Sequence, residues 1–344
     1  MNKPTVHDIA KEAGVSLATV DRVLNSRPGV RDKTIERVRG AVARLGYVRD
    51  TTAANLARQR QYRFACLLPE GPSQFVDALR STLNKAFSAN IADRVTVKVV
   101  SVPTNDPHLI VKSIQSLNLD RLDGVAIMAP ETPQVRDAIG RLKDAGIAVV
   151  ALVSDLPNSQ RDFFVGIDNL AAGRTAASLL GRFVPTSGDV LVVTNSLRSR
   201  DSLERRLGFD DVMTSKYQHL KILPTIESFD DHGRLEQLVT TALKARSELR
   251  AVYSMGSGNA GVLSAVRNSG RAGDLRVLAH ELTPVTRDGL LDGTLDAIIA
   301  QNVGHLVRSS LRTLRTLCDE MPIYEEQERI RIEIVLKENL PKSL

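Results

Sequence analysis

From residue 62 onward, short apolar runs alternate with stretches of helical periodicity, and this alternation restricts the fold more than any other feature of the chain. The apolar runs fall at residues 64–68, 95–100, 124–128 and 147–153, then at 190–193, 251–253 and 275–279. Amphipathic helices are expected in the gaps, at 77–87, 135–144 and 169–183. A strand with one wet face alternates polar and apolar residues. These runs do not, so both of their faces are covered, and strands of that kind separated by helices form parallel sheets. Two series predict two α/β lobes. A last strand is expected within residues 329–336, where polar and apolar residues do alternate. A chain of 344 residues is long enough for such a body and a further domain.

The further domain lies in residues 1–60, which hold twelve Lys and Arg against six Asp and Glu, a net +6. The whole chain is also +6, so the remaining residues sum to zero. A basic head on a neutral body marks a nucleic-acid module joined to something else. Thr5, with Asp8 three residues on, opens a helix as a capping box, and Gly14 ends it. Ser16 caps a second helix, whose apolar stripe is Val20, Val23 and Leu24. Residues 25–29 form a loop, and Ile35, Val38, Val42 and Leu45 share one face of a third helix stopped by Gly46. Residues 50–60 are undecided between helix and linker. Ala13-Gly14-Val15-Ser16 supplies the tight turn of a helix-turn-helix, whose second helix meets the major groove by its N-terminal residues.

The extended pattern resembles the head of the lac/galactose repressor (LacI-type) family of transcriptional regulators. It runs through Thr5-Val6-His7-Asp8-Ile9-Ala10, Gly14-Val15-Ser16, Thr19-Val20, Arg22-Val23-Leu24-Asn25, Val30, Thr34, Val38 and Leu45-Gly46-Tyr47. The resemblance implies a DNA-binding domain at 1–48, a hinge at 49–61 and an effector domain at 62–344. It also implies a homodimer or tetramer whose heads read the halves of a palindromic double-stranded operator. By position, Leu17, Ala18 and Arg22 fall where the family reads base edges, and Arg22 suits bidentate contact with guanine. Thr5, His7, Ser16, Thr19 and Asn25 would hold phosphates or cap helices. Leu56 matches the hinge leucine that wedges into the minor groove. Arg49-Asp50 and Asp21 depart from the family pattern.

Residues beyond 62 more loosely resemble the two-lobed periplasmic sugar-binding fold. Lobe 1 is then expected at 62–163 and 294–322, and lobe 2 at 164–293 and 323–344. Ligands of open α/β sheets sit at the carboxyl ends of strands. That rule nominates Gln74, Phe75, Glu131, Asp155, Asn259 and Glu281. The resemblance adds Arg205, singles out Glu281, and adds Gln301 at the end of the strand that returns to lobe 1. Carboxylates, amides and an arginine suit the hydroxyls of a sugar or polyol, which both donate and accept. An alternative is an NAD(P)-sensing regulator or dinucleotide-dependent enzyme. Gly256-Ser257-Gly258-Asn259-Ala260-Gly261 is a GxGxxG run, and Glu281 follows twenty residues after its last glycine.

Catalysis finds little support, since the chain has no Ser/His/Asp spacing, metal-ligand cluster or nucleophile elbow. No enzyme, cofactor or metal is expected. Cys66 and Cys318 form no CxxC pair and read as packed thiols. No apolar run reaches the ~18 residues of a membrane span, and the N-terminus is unlike a secretory signal, so a cytoplasmic protein without a membrane partner is expected.

Overall fold

A computed structural model describes residues 4–24, 28–47, 60–89, 94–103, 106–229 and 231–342. The chain divides into two compact units, Met1–Arg60 and Gln61–Leu344. Asn25, Leu56 and most of the expected hinge lie outside the described residues.

The head holds α1 (Val6–Ala13), α2 (Leu17–Leu24) and α3 (Asp32–Leu45). At the start of α1 the Thr5 backbone N–H donates to Asp8 Oδ2 at 2.8 Å, and the Asp8 N–H donates back to Thr5 Oγ1 at 3.4 Å. Gly14 ends α1 with φ at +60°, a left-handed angle that costs glycine little. Ser16 Oγ accepts the Thr19 N–H at 3.2 Å and so caps α2. Ile9, Val20 and Val38 are each fully buried, and they meet at the centre of the small core.

In the second unit the first sheet has order β2-β1-β3-β4-β5, all parallel. Its strands are β1 (Tyr62–Pro69), β2 (Val95–Val102), β3 (Gly124–Ile127), β4 (Ala148–Leu152) and β5 (Phe163–Val165). Alternate residues of β1 face opposite layers. Phe64, Cys66 and Leu68 meet α4 (Gln74–Ala89), while Ala65 and Leu67 meet α5 (Pro107–Gln115) and α6 (Pro133–Asp144). Buried Cys66 packs as a hydrophobe, and burial pushes its thiol up to about 12.

The second sheet repeats the plan. Its first strand pairs are β7-β6-β9-β10-β11, and antiparallel β12 closes the edge. The strands are β6 (Gly188–Thr194), β7 (Leu220–Ile222), β8 (Ile226–Glu227), β9 (Leu249–Ser254), β10 (Arg276–His280), β11 (Ala297–Gln301) and β12 (Ile332–Val335). One face is covered by α7 (Asn169–Phe183) and α8 (Arg200–Lys216). The other is covered by α9 (His232–Ala245), α10 (Asn259–Asn268) and α11 (Pro284–Leu291). The chain then returns through α12 (Val303–Cys318), which lies on the first sheet, and α13 (Glu325–Glu328) precedes β12.

Two expected boundaries are corrected. β11 pairs with β10 and β12, so residues 297–301 belong to lobe 2, and the chain re-enters lobe 1 only with α12. β5 pairs with β4, so lobe 1 extends to Val165. The apolar periodicity of both strands was fit for either sheet, and only pairing decides membership.

Candidate functional site

In both sheets the strand order reverses beside the first strand, at β1/β3 and at β6/β9. Adjacent loops diverge at such a point and leave a crevice at the carboxyl ends. The crevices of the two lobes face each other and form one cleft of about 800 Å³. Pro69, Glu70, Pro72 to Asp77, Pro107, Met128 to Thr132 and Val153-Ser154 line it from lobe 1. Asn195, Ser196, Arg198, Ser199, Asp201, Ser202, Arg205, His232, Met255 to Ala260, Glu281, Thr283 and Val285 contribute from lobe 2.

The cleft floor is a buried polar network centred on Arg205, which is 2 % exposed. Its Nε donates to Asn169 Oδ1 at 2.8 Å, Nη1 to the Met255 carbonyl at 2.7 Å, and Nη2 to Glu281 Oε1 at 3.3 Å. Gln301 Nε2 donates to the same Glu281 oxygen at 2.8 Å. Glu281 Oε2 is buried without a hydrogen-bond partner among the described residues, as is Ser257 Oγ. A buried acceptor left unpaired costs free energy that a ligand donor recovers. Burial raises the Glu281 carboxyl above its ordinary value, an effect that the Arg205 charge opposes.

Backbone geometry aims this network. Glu281 has φ at +70° and Val153 at +65°, both at cleft ends of strands. Such angles are costly for side chains with a Cβ and concentrate at binding sites. Arg205 and Asn169 reach each other because α7 and α8 cross tightly. A Cβ on Gly173 would lie 2.0 Å from the Arg205 carbonyl oxygen, and one on Gly208 2.1 Å from that of Leu170. Behind the floor, Tyr253 and His280 share a 2.8 Å hydrogen bond, and Phe209 stacks on Tyr253. Burial, with the nearby Arg205 charge, holds His280 well below its usual value.

Contacts bridge the lobes at the cleft mouth. His232 Nε2 lies 3.2 Å from the Pro72 carbonyl, the Val285 N–H donates to Gln74 Oε1 at 3.4 Å, and Arg200 lies 3.8 Å from Glu131.

Of the residues expected to hold an effector, Gln74, Phe75, Glu131, Arg205, Asn259 and Glu281 line the cleft. Asp155 does not. Its carboxylate pairs with Arg161 and accepts the Leu156 N–H, so it braces its own loop. Gln301 also lies outside the lining and supports Glu281 from behind. Asp77, Asp201, His232 and Thr283 line the cleft although they were not singled out. Asp201 lies on the Arg205 side of α8, one turn earlier, which helical spacing alone places beside it.

The glycine run has a packing role. A Cβ on Gly258 would lie 2.5 Å from Leu235 Cδ2, and one on Gly261 2.6 Å from the His232 carbonyl oxygen. Gly258 and Gly261 thus seat α9 against α10, while residues 256–260 also border the cleft. Glu281 is engaged with Arg205 and Gln301 through Oε1.

In the head, Leu17, Ala18, Asp21 and Arg22 occupy the solvent face of α2, opposite buried Val20. Leu17 is 42 % exposed, an apolar residue with no role in the head's own core. His7 is exposed, while Thr5, Ser16 and Thr19 form the capping hydrogen bonds of α1 and α2.

Residues 5–50 match the model for bacterial regulatory proteins of the lacI family, and residues 64–320 match the periplasmic binding protein domain. The chain joins a lacI-family head to a periplasmic-binding-protein domain. It is 27% identical over 180 residues to the HTH-type transcriptional regulator DegA of Bacillus subtilis, covering 52% of each. It thus spans about half the length of the curated relatives it matches. Its body resembles the glucose-galactose binding protein GanP of Geobacillus stearothermophilus, with a TM-score of 0.73 at 20% identity over 82% of this chain and 99% of that one. A solute-binding protein of Burkholderia graminis, solved with D-arabinose, gives a TM-score of 0.72 at 26% identity over 81% and 96%. Among the described residues, no helix is long and apolar enough to cross a membrane.

Proposed function

We propose that this chain is a ligand-controlled transcription regulator, with a head that binds operator DNA and a cleft that binds a neutral sugar or polyol. The observation that carries the ligand is Glu281 Oε2, a buried acceptor at the cleft floor with its other oxygen fixed by Arg205 and Gln301. Such a carboxylate takes the hydroxyl donors of a polyol, and Ser257 Oγ and the Asp201 carboxylate extend the same chemistry. The D-arabinose bound by the Burkholderia protein fits this reading.

Charge argues against an anionic effector such as a sugar phosphate. Glu70, Asp77, Glu131, Asp201 and Glu281 line the cleft against Arg198 and Arg205, and all three Arg205 nitrogens are already engaged. For the head, the +6 charge of residues 1–60 and the exposed Leu17, Ala18 and Arg22 support major-groove binding. The sugar or polyol reading of the cleft makes uptake or catabolic genes for that ligand the proposed targets of repression. Symmetric operators call for a homodimer, which light scattering checks.

The ligand is tested by thermal shift and calorimetry with D-arabinose, D-fucose, D-galactose and myo-inositol against their phosphates and NAD. Binding of a neutral compound, lost in Glu281→Ala, supports the reading. Preferential binding of a phosphate or of NAD overturns it. Ligand-dependent retention of a duplex selected from a random pool tests regulation.

A further inference from the structure

Tyr62 opens β1 next to the end of the head unit at Arg60, and it is 1 % exposed. Its hydroxyl donates to both carboxylate oxygens of Asp319, at 2.8 and 2.9 Å. Asp319 is the C-cap of α12. The Arg315 guanidinium stands 5.4 Å over the Tyr62 ring and 4.0 Å from the Asp319 carboxylate. A cation over a ring face and a charge-assisted phenol bond both fix the ring. Arg63 is held beside it, its N–H donating to Asp123 Oδ2 at 2.8 Å.

Both elements joined here belong to lobe 1, β1 in its sheet and α12 packed on it. β1 ends at Pro69, which lines the cleft. α12 begins at Val303, two residues after Gln301, the partner of Glu281. Beyond Asp319 the chain turns back along α12 toward β12. Glu328 of that segment bonds Arg312 through both oxygens, at 2.6 and 2.8 Å. β1, which reaches the cleft, and α12, which follows the strand that supports Glu281, thus converge on one part-buried phenol–carboxylate bond, two residues after the end of the head unit.

We propose that the Tyr62–Asp319 bond is the joint that carries the state of the cleft to the segment joining head and body. The inference rests on the regulatory reading above. Lobe closure displaces α12, whose N-terminus and following crossing segment both belong to the passage between lobes, and β1 is held to the sheet by its neighbours. The bond makes the two move together at Tyr62. Without it, cleft and head each keep their ligand but lose their coupling.

The test uses the full-length chain and supplies closure without an unidentified ligand. Gln74→Cys and Val285→Cys place thiols across the cleft mouth, and a short bis-maleimide joins them, with Cys318→Ser in every chain. The readout is affinity for the duplex selected by the native chain. We expect closure to change that affinity about tenfold with Tyr62 present, and by less than about twofold in Tyr62→Phe and in Asp319→Asn. The uncrosslinked variants should bind the duplex as the parent does. Equal changes in parent and variants overturn the joint and leave regulation standing. No change in any chain overturns both. Tyr62→Phe keeps the ring and its packing, and Asp319→Asn keeps its shape, so a joint that is only structural would lower the melting temperature without moving the closure effect.

Discussion

Arg205 Nη2 lies 3.3 Å from Glu281 Oε1, and both side chains are buried on the cleft floor. Removing one partner of a buried pair is worse than removing both, because the remaining charge has neither water nor counter-ion. Glu281→Ala should therefore cost about 3–5 kcal/mol in urea denaturation. Glu281→Gln, which can still accept from Arg205 and Gln301, should cost clearly less. Similar losses for both would show that the charge, not the accepting oxygen, is what the pair needs.

His280 gives the body a defined response to acid. Burial holds the native ring neutral well below 6.5, whereas the unfolded ring takes a proton there. The unfolded state then binds more protons, so this contribution is fully present above about pH 6.5 and is lost as pH falls. The slope approaches about 1.4 kcal/mol per pH unit. Glu281, raised by burial, contributes the opposite slope above its ordinary value, so the comparison must isolate the imidazole. Urea midpoints at about pH 7.5 and about pH 5 should fall further for the native chain than for His280→Asn.

The head was almost wholly legible, because its determinants are local. The Thr5–Asp8 box, Gly14 and the Ser16 cap act within four residues and appear as expected. The strands of both lobes were legible as apolar runs, but their membership was not. Residues 297–301 fit either sheet until β10 and β12 flank them. Within the cleft, the carboxyl-end rule found the loops and not the direction of each side chain. Asp155 lies on such a loop, yet Arg161, six residues on, draws its carboxylate inward. The glycine run carried the same ambiguity. Its spacing serves a phosphate or a helix contact equally, and the helix contact shows only in the approach of Leu235 to Gly258 and of the His232 carbonyl to Gly261.

The crossing of α7 and α8 sets Arg205 in place, and Gly208 makes it possible. A Cβ there would lie 2.1 Å from the backbone oxygen of Leu170, which no rotamer relieves. Gly208→Ala should part the helices, cost about 1–3 kcal/mol and weaken sugar affinity through the Arg205–Asn169 bond. Gly140→Ala in α6 is the control. Its nearest neighbour is a side-chain nitrogen at 3.9 Å, so it should stabilise the body by about 0.5–1 kcal/mol. Calorimetric melting of the two variants should shift in opposite directions.

Arg22 is exposed on the solvent face of α2 with Leu17 and Ala18, and it is the long cation of that face. Two other arrangements would use it differently. Bidentate contact with a guanine edge concentrates its effect at one base pair, whereas a phosphate contact spreads it over every sequence. The first predicts that Arg22→Ala loses about 1–3 kcal/mol against the preferred duplex and little against duplexes substituted at that one position. The second predicts a uniform loss and a shallower salt dependence. Binding measured across single-base variants of the selected duplex, at two salt concentrations, separates them. The apolar Leu17 and Ala18 leave few other donors on this face, so the specific outcome is expected: relaxed discrimination confined to the base pair that Arg22 contacts in the selected duplex, with the salt slope nearly unchanged.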